Sequence, residues 1–307
     1  ENESLVHRAR NVAIGRFMQK SDCDFFMFID ADVDFDPKSV VRLIRSGHEV
    51  SVAIYPKKVV MWGWGLDIVK DYLNDMCDKM NNLSWPSTLT EEYRFLYSYE
   101  NFGKKVYLDH YDSDLTNKVI LDIGGSVGDF PLSIMDHSPK KIYIIEPMLE
   151  ELQCIRLNLK DFNNVEIIPE FVGDEGIKFK QIVKDWNISN VDFMKCDCEG
   201  GERDIFTEEN LKWITNNVKF MTGEYHIIQE CFEEKINDST IRNINAFKKF
   251  RDLYFNYPGI EVIIEDRDGK DITSSVYTDE GISQFINWYK NTWRGQYMFT
   301  LINHNLN

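Results

Sequence analysis

Five side chains able to accept or pass a proton stand in two short stretches. Asp197, Glu199 and Glu202 lie in Lys195-Cys196-Asp197-Cys198-Glu199-Gly200-Gly201-Glu202, and Glu224 and His226 lie in Thr222-Gly223-Glu224-Tyr225-His226. Each stretch follows an apolar run, Val191 to Cys196 and Val218 to Met221, that reads as a buried strand. If the two strands are parallel, these residues meet at one carboxyl edge, where ligands bind in open α/β sheets. Carboxylates grouped there are costly unless something cationic or protic faces them. His226 in the company of Asp197, Glu199 and Glu202 is then a candidate general base for deprotonating a hydroxyl, whereas a histidine taken alone more often packs or caps.

A second constellation opens with Val119 to Ile123, a short apolar strand that runs into Gly124-Gly125-Ser126-Val127-Gly128 and then a helix. Gly124, Gly125 and Gly128 permit tight turning and close approach of a ligand. The order is D-x-G-x-x-x-G, with Asp122 ahead of the first glycine, and differs from the G-x-G-x-x-G of dinucleotide loops. An acid at that strand tip suits a ligand with a positive end. S-adenosylmethionine (SAM) has a sulfonium and an ammonium group, which Asp122 would face directly or through water. Glu146, at the tip of the next strand, is placed to accept both ribose hydroxyls of a nucleoside lying across the loop, a role that would serve an NAD enzyme equally.

The elements that must position these residues alternate from Lys118 onward. Strands are expected at 118–123, 142–145, 165–168, 191–196, and from Val218 past Met221, with crossovers over 149–160, 176–186 and 205–214. After a helix near 236–254, two more strands are expected at 260–264 and 296–302. Seven strands with interleaved helices predict a doubly wound α/β sheet. Residues 59–117, rich in Trp and Tyr, hold no chemical motif and read as a helical connector.

The first sixty residues have their own chemistry. Phe25 to Ile29 is a short apolar strand that ends in Asp30-Ala31-Asp32, and paired carboxylates at a strand end can hold a divalent cation against a diphosphate. A lone D-x-D is otherwise a solvated loop capping the helix at Ser39.

The chain of 307 residues is 43% hydrophobic and 28% charged, a globular profile. Its net charge of -16 argues against a nucleic-acid partner, since phosphate backbones call for clustered Lys and Arg. Residues 1–60 hold nine acidic and nine basic side chains, so the acidic excess lies wholly after them and two modules are expected. The six cysteines contain no C-x-x-C pair and read as reduced thiols. With no signal peptide or membrane span in view, a cytoplasmic location is expected. The chain begins with Glu1, and the first module is expected to continue a longer protein.

Two resemblances organise these readings. Residues 117–302 resemble the FkbM family of SAM-dependent methyltransferases. The matching stretches are Leu121-Asp122-Ile123-Gly124-Gly125-Ser126-Val127-Gly128, Ile145-Glu146-Pro147, Val172-Gly173-Asp174-Glu175-Gly176, Asp197-Cys198-Glu199-Gly200-Gly201-Glu202 and Glu224-Tyr225-His226, in that order. The resemblance implies a class I methyltransferase (Rossmann-like) seven-stranded sheet, with SAM held by Asp122, Gly124, Gly125, Ser126, Gly128, Glu146, Pro147 and Asp174. It also implies O-methylation of a sugar, glycan or other hydroxylated small molecule. This chain has Gly125, Ser126 and Gly201 where Ala, Asn and Ala are usual.

Residues 2–58 resemble glycosyltransferases of the GT-A fold through Glu3-Ser4-Leu5-Val6-His7-Arg8-Ala9-Arg10-Asn11, the stretch Phe28 to Pro37, and Ile54-Tyr55-Pro56-Lys57-Lys58. That implies Mn²⁺ or Mg²⁺ and a sugar nucleotide at Asp30 and Asp32, although the nucleoside-binding unit would have to precede Glu1. The expected organisation is therefore a partial GT-A-like segment over 1–60, a connector over 61–116 and a methyltransferase domain over 117–307. A glycosyltransferase is the second functional reading, an inactive binding module the third and a dehydrogenase the fourth.

Overall fold

The structure, a computed structural model, describes residues 78–306 apart from 91–93, 95–96, 174–175, 228–237, 267–268 and 290–295. The chain partitions into Glu1–Leu73 and Asn74–Asn307. The GT-A-like segment, with Asp30 and Asp32, lies outside the described residues, as does Asp174.

Seven strands form one mixed sheet: β1 (Val119–Ile123), β2 (Lys141–Ile145), β3 (Val165–Ile168), β4 (Val191–Cys196), β5 (Val218–His226), β6 (Ile260–Glu265) and β7 (Gln296–Asn303). Their order is β3-β2-β1-β4-β5-β7-β6. The first five strands pair in parallel, and β7 runs antiparallel to both β5 and β6. From β1 onward the described α-helices are α1 (Asp129–Ser133), α2 (Leu149–Asn158), α3 (Phe179–Asp185), α4 (Glu202–Ile205), α5 (Glu208–Asn217), α6 (Asp238–Tyr254) and α7 (Asp279–Tyr289). The element expected over 205–214 is two helices, broken at Phe206 and Thr207, and the helix after the glycine loop is only five residues long.

Both faces of the parallel strands are covered, which is why they read as apolar runs without polar alternation. Leu121, Ile123, Met194 and Met221 belong to one core cluster, with Phe206, Phe247 and Phe250. Ile120, Ile144, Phe193 and Phe220 belong to the other, with Tyr107, Phe130 and Ile155. Because successive strand side chains alternate, Asp122 and Lys195 fall on the second face as direct cross-strand partners.

Parallel pairing brings the ends of β1, β2 and β4 to one edge. Cys196 pairs with Gly223, so β5 continues through Glu224, Tyr225 and His226 beyond the last residue of β4. That overhang is held by β7, where Glu224, Tyr225 and His226 pair with Met298, Tyr297 and Gln296. Gly223 is required at the crossing point, since a Cβ there would lie 1.7 Å from the Cys196 carbonyl oxygen.

Candidate active site

The loop after β1 is a closed turn. Gly124 has φ +80°, and a Cβ at that position would stand 1.6 Å from the carbonyl oxygen of Asp197, so only glycine fits both the backbone and the space. The N–H groups of Gly124 and Gly125 both donate to the carbonyl of Ile145, at 3.0 and 3.2 Å, and that of Gly128 donates to the Gly125 carbonyl at 2.8 Å. The Ser126 N–H donates to Glu146 Oε2 and the Met148 N–H to Glu146 Oε1, each at 2.9 Å. Glu146 is thus a buried clamp between the loop and the start of α2, and exposed Pro147 makes the turn that lets Met148 reach back. Burial pushes the Glu146 carboxyl up to about 7, against the lowering effect of the Met148 and Ser126 N–H groups.

Asp122 does not stand alone at its strand tip. The Lys195 Nζ donates to Asp122 Oδ1 at 3.0 Å and to the Gly124 carbonyl at 2.8 Å, and lies over the rings of Tyr107 and Phe130. Burial draws the Lys195 ammonium toward losing its proton, but Asp122, Asp197 and Asp129 outweigh it and hold the charge. Asp122 is fully buried, and its Oδ2 has no partner among the described residues. Nearby in the chain course, Ser98 Oγ and Asn101 Oδ1 likewise have no partner among the described residues. Asn101 Nδ2 donates to Asp129 Oδ2 at 2.7 Å, and burial pushes the Asp129 carboxyl up to about 6.

The acidic residues after β4 and at the tip of β5 come together round His226. The Asp197 N–H donates to the Ile123 carbonyl at 2.9 Å, which ties the end of β4 to that of β1. Tyr107 O–H donates to Asp197 Oδ2 at 2.6 Å. Glu199 and Gly200 turn the chain with φ of 52° and 101°, a left-handed conformation that a non-glycine residue adopts at a cost of about 1–2 kcal/mol. The turn sets Glu202 at the start of α4 with 0% exposure. Its Oε1 accepts the Cys198 N–H at 2.9 Å and faces His226 Nδ1 at 3.2 Å, while Oε2 accepts the His226 N–H at 3.4 Å. Burial alone would lower the His226 pKa, but Glu202, then Asp197 and Glu199, raise it well above the ordinary value.

The predicted residues therefore lie in two adjoining groups. One is the loop with Asp122 and Glu146, the other is Asp197, Glu199, Glu202, Glu224 and His226, and Lys195 links them. Three contributors escaped the sequence reading. Lys195 was signalled by a charge inside the apolar run Phe193-Met194-Lys195-Cys196, whereas Tyr107 and Asn101 come from the stretch read as a connector and had no signal of their own.

No protein-family model and no curated protein matches the sequence. Methyltransferases recur among solved structures of similar chain course. One is precorrin-6y C5,15-methyltransferase from Geobacter metallireducens, 14% identical over 72% of this chain and 94% of that one, at a TM-score of 0.39. A cofactor-bound protein from MTB is 11% identical over 83% and 100% of the two chains, at 0.41. Spermidine synthase from Thermotoga maritima is 16% identical over 63% and 56%, at 0.37. Likeness of this degree says nothing of substrate. Among the described residues, no helix is long and apolar enough to cross a membrane.

Proposed function

We propose that residues 117–307 bind SAM at this carboxyl edge and methylate a hydroxyl of a sugar, glycan or other hydroxylated small molecule, as members of the FkbM family do. The observation that carries the reading is where the loop spends its donors. The N–H groups of Gly124, Gly125, Ser126 and Gly128 are all committed inside the protein, so the loop has little left for a diphosphate. A dinucleotide needs those donors; a nucleoside with a cationic tail does not. The acceptors of Glu146 suit such a ligand, since each of its oxygens accepts one N–H and retains a lone pair for a ribose hydroxyl.

SAM, when bound, supplies an electrophilic methyl group. The protein must then align the acceptor hydroxyl and take its proton. Tyr107 engages Oδ2 of Asp197 and leaves Oδ1 directed toward His226, at the level of the Gly124 loop. Asp197 is on that geometry the proton acceptor. Glu202 fixes the His226 ring from behind, and Glu199 and Glu224 are the groups placed to hold neighbouring hydroxyls of the acceptor.

The test is calorimetric titration of the full chain with SAM and NAD⁺ in parallel, repeated on Glu146→Ala. SAM should bind, with a loss of about 1–3 kcal/mol in the variant. Preferential binding of NAD⁺ would overturn the class, and unchanged SAM affinity in the variant would overturn the ribose assignment.

A further inference from the structure

At the centre of the acidic cluster is a single nitrogen atom. His226 is 6% exposed, and its Nδ1 is engaged by Glu202. Its Nε2 faces Glu199 Oε2, Glu224 Oε2 and Asp197 Oδ1 at 3.5, 3.6 and 3.9 Å. N–H···O hydrogen bonds cluster at about 2.7–3.2 Å, and these longer contacts are ion pairs. Nε2 forms no hydrogen bond among the described residues. The imidazole of a buried histidine thus faces three carboxylate oxygens at ion-pair distance on its Nε2 side and a fourth carboxylate on its Nδ1 side.

We propose that this ring holds a divalent transition-metal cation, bound by His226 Nε2 and by carboxylate oxygens of Asp197, Glu199 and Glu224. Metal–ligand bonds of about 2.1 Å place adjacent ligands about 3 Å apart and opposite ones about 4.2 Å apart. The 3.5–3.9 Å separations of these oxygens from Nε2 fall between these limits, and the carboxylates close round the cation by side-chain rotation. Glu199, whose side chain is 80% exposed, has room to make them.

Asp197, Glu202 and His226 also offer ligand atoms within 4.8 Å of one another. Glu202, however, already serves the Cys198 and His226 N–H groups and the imidazole, which makes it the group behind the histidine. A carboxylate on Nδ1 fixes the tautomer in which Nε2 is the ligand atom once a metal has displaced its proton, and Tyr107 orients Asp197 in the same manner. One imidazole with three carboxylates suits Mn²⁺, Fe²⁺ or Zn²⁺ better than Ca²⁺. The cation's place in the chemistry, holding the acceptor oxygen beside Asp197, rests on the methyl-transfer reading above.

The experiment titrates Mn²⁺ into the metal-stripped full chain and follows the electron paramagnetic resonance signal of free Mn²⁺. Wild type is compared with Glu224→Gln, Glu202→Gln, His226→Ala and an Asp30→Asn/Asp32→Asn variant. The proposal expects one Mn²⁺ that survives the Asp30/Asp32 change, and about 10- to 100-fold weaker binding in Glu202→Gln. Glu224→Gln, nearly isosteric and outside the core, should weaken it as well. No Mn²⁺ bound by wild type, binding unchanged in Glu224→Gln and His226→Ala, or binding lost only with Asp30 and Asp32 would each overturn the site. SAM titrated into the same metal-free protein separates the two readings: SAM binding without Mn²⁺ binding defeats the metal site alone, and a Mn²⁺ site in a chain that refuses SAM stands while the cofactor reading falls.

Discussion

Binding of SAM at pH 6 is expected to release nearly one proton, and Glu146 is its source. In the free protein burial holds this carboxyl at about 7, against an ordinary value of 4.5. At pH 6 it is therefore about 90% protonated. Two ribose hydroxyls donating to the carboxylate favour its charged form, and a return to the ordinary value would leave about 3% protonated at that pH. The difference is about 0.9 proton at pH 6 and about 0.1 at pH 8. The sign follows from which form each state prefers. The free site favours the acid and the bound site the carboxylate, so affinity climbs as pH rises from about 4.5 to about 7 and levels above. The full climb corresponds to about 3 kcal/mol. Calorimetry in buffers of differing protonation enthalpy reads the released proton directly. SAM binding at pH 6 with no proton released, or a release that persists in Glu146→Gln, would refute the reasoning.

Two further outcomes follow from other parts of the site. Lys195→Met leaves Asp122 buried without its counter-charge and should destabilise the fold by about 3–5 kcal/mol in urea unfolding. Asp122→Leu combined with Lys195→Met should recover most of that, and a double variant no better than the single one would show that the pair is not the cause. Asp197→Asn keeps the Tyr107 hydrogen bond but removes the proton acceptor; it should slow methyl transfer by about 10² to 10⁴ with SAM affinity intact, and near-normal turnover would leave alignment of the acceptor as the better account.

Much of the fold was legible because its strands are buried on both faces. Val119 to Ile123 and Val191 to Cys196 announce themselves as apolar runs, and parallel pairing then carries the residues that follow them to one edge. The placement of β7 between β5 and β6 was not legible, since nothing in Gln296 to Asn303 encodes which neighbours it takes. Asp122 was read as facing a ligand cation, and the structure gives its Oδ1 an internal one, because strand register alone decides that Lys195 lies opposite. Tyr107 reaches Asp197 across ninety residues of chain, a distance over which local patterning carries no information.

The overhang of β5 has a consequence for how the protein is made. His226 is set beyond β4 by pairing with a strand some seventy residues later in the chain, and β6, made before β7, pairs among the described residues with β7 alone. Until residues 296–303 have been synthesised, β5 lacks its β7 pairing and β6 has no strand neighbour among the described residues. Contacts of such sequence separation form late. A nascent or prematurely terminated chain can thus form the glycine loop and the first four strands while the His226 end of the site is still unsupported. The cofactor loop and the acidic cluster mature at different times, and a ribosome-stalled series ending before and after β7 would display them in that order.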